Sequence, residues 1–263
     1  MKKYAICKEL IEIKGTQYLE PWLKIGTPTF DKVSQVPDDH ILISCHYPPW
    51  RSPFKEWIAK GNKYIEIEFG YWGDGERRRE SRRITYNGHH NLTMKKPPFS
   101  RLHTLTPKIE NWKTTRGDYL LVIEPLPAII EERRGITFIQ WRDELLEKLS
   151  PHWNGPIKWR SKRSGKNPGR WPSYLEDLKG CHAVVGERTM ACVEAVMMGY
   201  PAYTTDFSMV SLLMGTDLSA ISNPTYPDRT AWLEHISWSQ FYPDEFKNST
   251  KVIEMIEQYQ INP

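Results

Sequence analysis

The sequence of 263 residues is poor in the features that mark several large protein classes. It has four cysteines, Cys7, Cys45, Cys181 and Cys192, with no CxxC spacing among them. That argues against a zinc framework or a disulfide scaffold, and the expected state is reduced, buried thiols. No apolar run approaches the ~18 residues of a membrane helix. Behind the opening Lys2 and Lys3, the charges of Lys8, Glu9 and Glu12 interrupt any signal-peptide core, so the expected location is the cytoplasm. No internal repeat is visible. The segment Gly165-Lys-Asn-Pro-Gly169 lacks the second Gly-Lys-Ser/Thr element of a Walker A loop, which disfavours ATP hydrolysis of that type. What remains is 39% hydrophobic and 12% aromatic, a globular composition with enough chain for one large domain or two.

The net charge of +4 hides an uneven distribution. Residues 50–120 hold 15 Lys/Arg against 8 Asp/Glu, including Arg77, Arg78, Arg79, Arg82 and Arg83. Residues 152–190 hold 8 against 3, whereas residues 200–263 reverse the sign with 3 against 8. Two basic stretches interleaved with Trp and Tyr suit an anionic partner, with phosphates meeting cations and rings stacking on aromatics. Sugar binding, or a plain solvated face, would produce the same pattern.

The second half has the clearer periodicity. Strands are predicted at 118–124, 156–160, 182–185 and 201–205, with helices over 136–149, 172–179 and 188–198 between them. Ile136, Ile139, Leu145, Leu146 and Leu149 are expected on the buried face of the first of these helices. Repeated strand–helix–strand units require right-handed crossovers and a parallel, Rossmann-like sheet. Two amphipathic helices near 228–240 and 243–259 follow, placed to cap this domain or cross back over the first half. That first half offers strands at 3–7, 41–45, 63–67 and 83–86 and a helix over 54–60. Boundaries of 1–112 and 113–263 divide the chain.

Three places concentrate chemistry. At Val185-Gly-Glu-Arg188-Thr189 a buried strand ends and a helix begins, which makes an anion site of the helix N-terminus. There Thr189 caps the helix or meets a phosphate, Arg188 adds charge, and Glu194 accepts from sugar hydroxyls if it faces the crevice. Arg160 and Lys162 leave the sheet on the ligand edge and could clamp a diphosphate. In the first half, His46 and Glu68 both sit at strand ends, as rival candidates for a general base. His89 and His90 occupy a loop expected over the crevice. No Asp-x-Asp or His-rich partner accompanies Glu66 and Glu68, so metal independence is expected.

The run His182–Asp206, HAVVGERTMACVEAVMMGYPAYTTD, resembles the nucleotide-sugar half of GT-B glycosyltransferases. Asn223–Phe241, Glu68–Gly73 and Arg83–Gly88 resemble short glycosyltransferases of bacteriophages. The resemblance implies an α/β fold of two Rossmann-like domains facing a central cleft, with C-terminal helices crossing back. It implies sugar transfer from a nucleotide-diphosphate donor such as a UDP-sugar to a hydroxymethylated pyrimidine in phage DNA, the base being flipped out. Arg160, Lys162, Arg188, Thr189 and Glu194 would hold the donor, and Glu68 or His46 would act as base. Arg77, Arg78, Arg79, Arg82 and Arg83 would track the DNA backbone. No cofactor beyond the nucleotide sugar is implied. A glycan, lipid or protein acceptor, a nucleotide-sugar epimerase, or a non-catalytic nucleic-acid-binding protein remain the alternatives.

Overall fold

Two separate sheets organise the chain in a computed structural model that describes residues 2–11, 17–72, 81–161, 174–247 and 249–261. The first part contributes β1 (Tyr4–Ile11), α1 (Glu20–Lys24), β2 (Thr29–Phe30), β3 (Ile41–Cys45), α2 (Phe54–Ala59), β4 (Tyr64–Phe69) and β5 (Arg82–Tyr86). Next come β6 (Tyr119–Glu124), α3 (Pro127–Arg134), α4 (Phe138–Leu149), β7 (Ile157–Ser161), α5 (Tyr174–Leu178), β8 (Cys181–Gly186), α6 (Met190–Met197) and β9 (Ala202–Thr204). The chain closes with α7 (Thr230–Ser237), β10 (Gln240–Phe241) and α8 (Ser249–Ile256). Contacts divide it into a unit of residues 1–107 with 230–263 and a unit of residues 108–229. The C-terminal segment therefore belongs with the first unit, not with the second half, to which the sequence boundaries assigned it.

In the first unit the strand order is β10-β5-β4-β3-β1-β2, with β1 to β4 parallel and β5 antiparallel to β4. Side-chain alternation divides the core between its two faces. Ile41, Ile43, Ile65, Ile67 and Ile84 pack with Trp22, Trp238, Phe246, Val252 and Ile256, so the C-terminal segment supplies most of that cover. Leu42 and Tyr64 face Val33, Phe54 and Trp57 on the other side. The helix expected through residue 240 ends at Ser237 instead. Edge strand β5 would otherwise leave backbone groups unpaired. Ile84 N–H donates to Ser239 O at 2.7 Å, and Gln240 and Phe241 pair with Arg83 and Arg82. Burial of Trp238 and Phe241 holds this short strand in place.

The second unit has the order β7-β6-β8-β9, all parallel. Leu120, Val122, Ala183 and Val185 face Trp141, Leu145 and Leu149 of α4. The buried stripe of α4 thus runs through Trp141. It leaves Ile139 70% and Leu146 37% exposed, against the expectation that both would be buried. Thr137 and Gln140 start this helix with a reciprocal capping box. Gly199 takes the left-handed backbone that ends α6, and a side chain there would collide with the Asn111 carbonyl. Arg229 donates to Val196 O and Glu110 O at 2.6 Å each and lies over the Trp112 ring, fastening the C-terminal end of α6.

Two histidines are buried with both ring nitrogens engaged. His235 meets Asn91 O through Nε2 and the Tyr259 hydroxyl through Nδ1, each at 2.7 Å. His182 stacks on Trp153 and donates from Nε2 to Ile221 O at 2.9 Å. Burial pulls both below the ordinary imidazole value. The unfolded chain takes up protons near pH ~6.5 that the folded rings refuse. Stability is therefore intact above that pH and lost progressively as the pH falls below it. Thermal melts between pH 7.5 and 5 should show a falling midpoint, with a shallower slope for His235→Gln. A midpoint independent of pH over this range would contradict the assignment.

Candidate functional site

In the first unit, one face of the sheet changes from apolar to ionisable as it approaches the carboxyl ends of its parallel strands. Leu42 pairs with Tyr64 and Ser44 with Glu66, and His46 and Glu68 continue the same parity. His46 N–H donates to Ile67 O at 2.9 Å before its left-handed backbone ends the strand. Across β4, Glu68 pairs in register with Arg83 and Glu66 with Thr85. The connections after β1 and β3 lead in opposite directions along the sheet, which makes this edge a switch point, where open α/β sheets bind ligands.

The His46 imidazole and the Glu68 carboxylate are hydrogen-bonded, Nδ1 to Oε1. A carboxylate only accepts, so Nδ1 carries the proton of this bond and Nε2 is the nitrogen left to exchange a proton with another group. Burial works against the charge on Glu68. The hydrogen bond from His46 and the positive charge of Arg83 outweigh it and hold the carboxyl below its usual range. Beside the pair, the Phe69 ring lies 4.6 Å from the imidazole, centroid to centroid, and is exposed. A second pair backs the first: His89 Nδ1 donates to Glu66 Oε1 at 2.8 Å, and Arg83 Nη2 donates to His89 Nε2 at 2.9 Å.

Arg82 and Arg83 are therefore interior residues and not a surface track for DNA. Arg82 is 4% exposed, lies 3.8 Å above the Tyr18 ring and donates to Ser81 O; Arg83 is 2% exposed and serves the carboxylates and His89. Strand pairing on both sides of β5 turns them inward. Arg77, Arg78, Arg79 and Lys162 lie outside the described residues. His90, expected in a covering loop, is buried with its ring stacked on Tyr71.

In the second unit β6 and β8 are neighbours whose onward connections diverge, so their carboxyl ends form the corresponding crevice. Gly186 ends β8, and a Cβ there would strike Thr189 Cγ2 and Cys192 Sγ, so the tight return into α6 requires glycine. Thr189 is the N-cap of α6 and accepts from Ala191 N–H at 3.3 Å. Arg188 adopts a left-handed backbone and pairs through Nε with Asp206 at 2.7 Å. Buried Glu187 accepts from Trp141 Nε1 at 2.6 Å and forms ion pairs with Arg133 and Arg134. Arg160 forms an ion pair with Asp177, as does Lys158, and lies over the Tyr174 ring. Tyr174 in turn donates to Ala191 O of α6 at 2.6 Å, and Glu194 sits half-buried on that helix. The expected donor residues thus form two groups, one around Arg160 and Tyr174 and one around Arg188. Arg133 and Asp206 were not anticipated: Arg133 lies in no motif, and Asp206, the last residue of the GT-B-like run, carried no role there. Among the described residues no three His, Cys, Asp or Glu side chains are grouped to hold a metal ion, and no helix is long and apolar enough to cross a membrane.

Among solved structures the chain is similar to Thermosulfurimonas dismutans KpsC, beta Kdo 2,7 transferase, with a TM-score of 0.56 and 11% identity over 98% of this chain and 99% of that one. It is also similar to Thermosulfurimonas dismutans KpsC, beta Kdo 2,4 transferase, with a TM-score of 0.51 and 11% identity over 96% and 99%. The likeness is one of fold. It spans nearly the whole of each chain, so both sheets are included. No protein-family model and no curated protein matches the sequence.

Proposed function

We propose that the protein is a glycosyltransferase of GT-B type, which moves a sugar from a nucleotide-sugar donor to a hydroxyl acceptor. The observation that carries this reading is the His46–Glu68 pair at the carboxyl edge of the first sheet. The full-length likeness of fold to two Kdo transferases supports it. The donor would lie on the second unit, at the carboxyl ends of β6 and β8 and the N-terminus of α6. His46 Nε2 would take the proton of the acceptor hydroxyl as its oxygen attacks the anomeric carbon. The bond from that carbon to the phosphate oxygen breaks, and the electron pair leaves with the nucleotide. Glu68 holds the imidazole in its basic tautomer and stabilises the imidazolium formed in the transition state.

For the acceptor, a carbohydrate hydroxyl fits the first unit better than DNA. Glu66 and Glu68 face this edge, the described members of the expected basic track are buried, and Phe69 offers a ring for a sugar to pack against. Mass spectrometry after incubation with a panel of nucleotide sugars tests both levels, with oligosaccharides and hydroxymethylpyrimidine-containing DNA as acceptors. A mass gain on an oligosaccharide is expected. A gain on DNA alone would overturn the acceptor class, and no transfer or hydrolysis with any donor would overturn the reaction.

A further inference from the structure

Beyond the carboxyl ends of β8 and β9, two guanidinium groups converge on one carboxylate oxygen. Arg188 Nε lies 2.7 Å from Asp206 Oδ2 and Arg133 Nη2 lies 3.9 Å from the same atom. The two acids around Arg133 differ in kind. Glu187 is buried, accepts through Oε2 from Trp141 and Arg134 and is ion-paired with Arg133, so it is a fixed anchor. Asp206 is about a third exposed, as is Arg188, and its other oxygen accepts its neighbour's backbone N–H, from Phe207 at 2.7 Å. One carboxylate oxygen shared by two forked donors is a poor match, since each guanidinium can engage two acceptors. Burial, and then the charge of Arg188, lower the Arg133 guanidinium to about 10, so it is still charged at neutral pH and bears the cost of a like charge nearby. Arg188 is also held in the left-handed region, a strained state for a residue with a side chain. It directly precedes the Thr189 cap of α6, whose positive end favours an anion at this point.

We propose that Arg133 and Arg188 form a clamp for a phosphate group of the donor, and that Asp206 is an internal stand-in for that phosphate which the donor displaces. The assignment rests on the second unit being the donor side. A phosphate group of the donor presents two unbridged oxygens where Asp206 presents one, so each guanidinium would have an acceptor of its own when it enters. The carboxylate would keep Arg133 and Arg188 aligned beforehand and would lower the apparent affinity for small anions.

Calorimetric titration of the full chain with inorganic pyrophosphate tests this, with a nucleoside diphosphate and acetate as parallel arms. Removing an ion pair of this exposure should tighten pyrophosphate binding by about fivefold in Asp206→Asn. Arg188→Gln should weaken it by about tenfold or more, an effect expected for a charge-assisted contact. Acetate should compete weakly in both proteins; acetate binding as tightly as pyrophosphate would overturn the phosphate assignment. Unchanged or weaker pyrophosphate binding by Asp206→Asn would overturn the stand-in, and unchanged binding by Arg188→Gln would overturn the clamp. Pyrophosphate binding needs no sugar transfer. The clamp behaving as expected in a protein that transfers no sugar would sink the proposed function and leave the clamp standing. Transfer by a wild-type protein whose two variants bind as it does would do the reverse.

Discussion

Replacing His46 by alanine is expected to lower the rate of sugar transfer by about 10²–10⁴-fold, the usual contribution of a positioned general base. Donor affinity should stay close to wild type, because His46 lies on the first unit and the donor is placed on the second. Glu68→Gln should also slow transfer, because it keeps the shape of the side chain while losing the negative charge opposite the imidazole. The two effects should not add, since the residues act as one unit. Initial rates for the two single variants and the double variant, with donor binding measured in parallel, check this. A double variant whose loss equals the product of the single losses would mean that Glu68 and His46 act independently. Full activity in His46→Ala would remove the base from the mechanism.

The largest effect on stability is expected at Glu187. Its carboxylate is buried beside Arg133 and Arg134 and accepts from the Trp141 indole. Alanine would leave the Arg133 guanidinium in the interior without that counter-charge, and deleting one partner of a buried ion pair costs about 3–5 kcal/mol. Glu187→Gln should be milder, because an amide oxygen can still accept from Trp141. Urea unfolding followed by circular dichroism tests the order wild type, Gln, Ala. A loss of under about 1 kcal/mol in Glu187→Ala would mean that Arg133 finds water or another acid once Glu187 is gone.

The two sites were legible in the sequence to different degrees. His46 and Glu68 were identifiable as strand-end residues, because the buried run Ile41–Cys45 and the alternation in Tyr64–Phe69 are local signals that stop at the carboxyl end. Their hydrogen bond was not identifiable, and they were expected as rivals where the structure makes them partners. The turn Gly186–Thr189 was also legible, since a buried apolar strand, a glycine and a threonine cap follow one another within a few residues. Arg133, by contrast, sits in the last turn of an ordinary charged helix, and nothing near it in sequence marks it. Its partners Glu187 and Asp206 come from the turns that follow β8 and β9, brought to it by the order of the sheet. Arg82 and Arg83 were misread for the same reason, as part of a dense basic run that the edge pairing of β10 draws into the interior.

By itself, the sequence determined the parallel α/β character of the second unit, its helix cap and the strand-end placement of the two candidate bases. These follow from period-two alternation, buried apolar runs and capping chemistry, all of which act over a few residues. Only the tertiary structure decided that residues 230–263 complete the first sheet, that Arg82 and Arg83 are buried, and that Arg133, Arg188 and Asp206 meet. Those outcomes depend on which strands become neighbours. Strand order is set by the combined burial of both faces of a sheet and by the need to pair its edges, and no short stretch of chain encodes either.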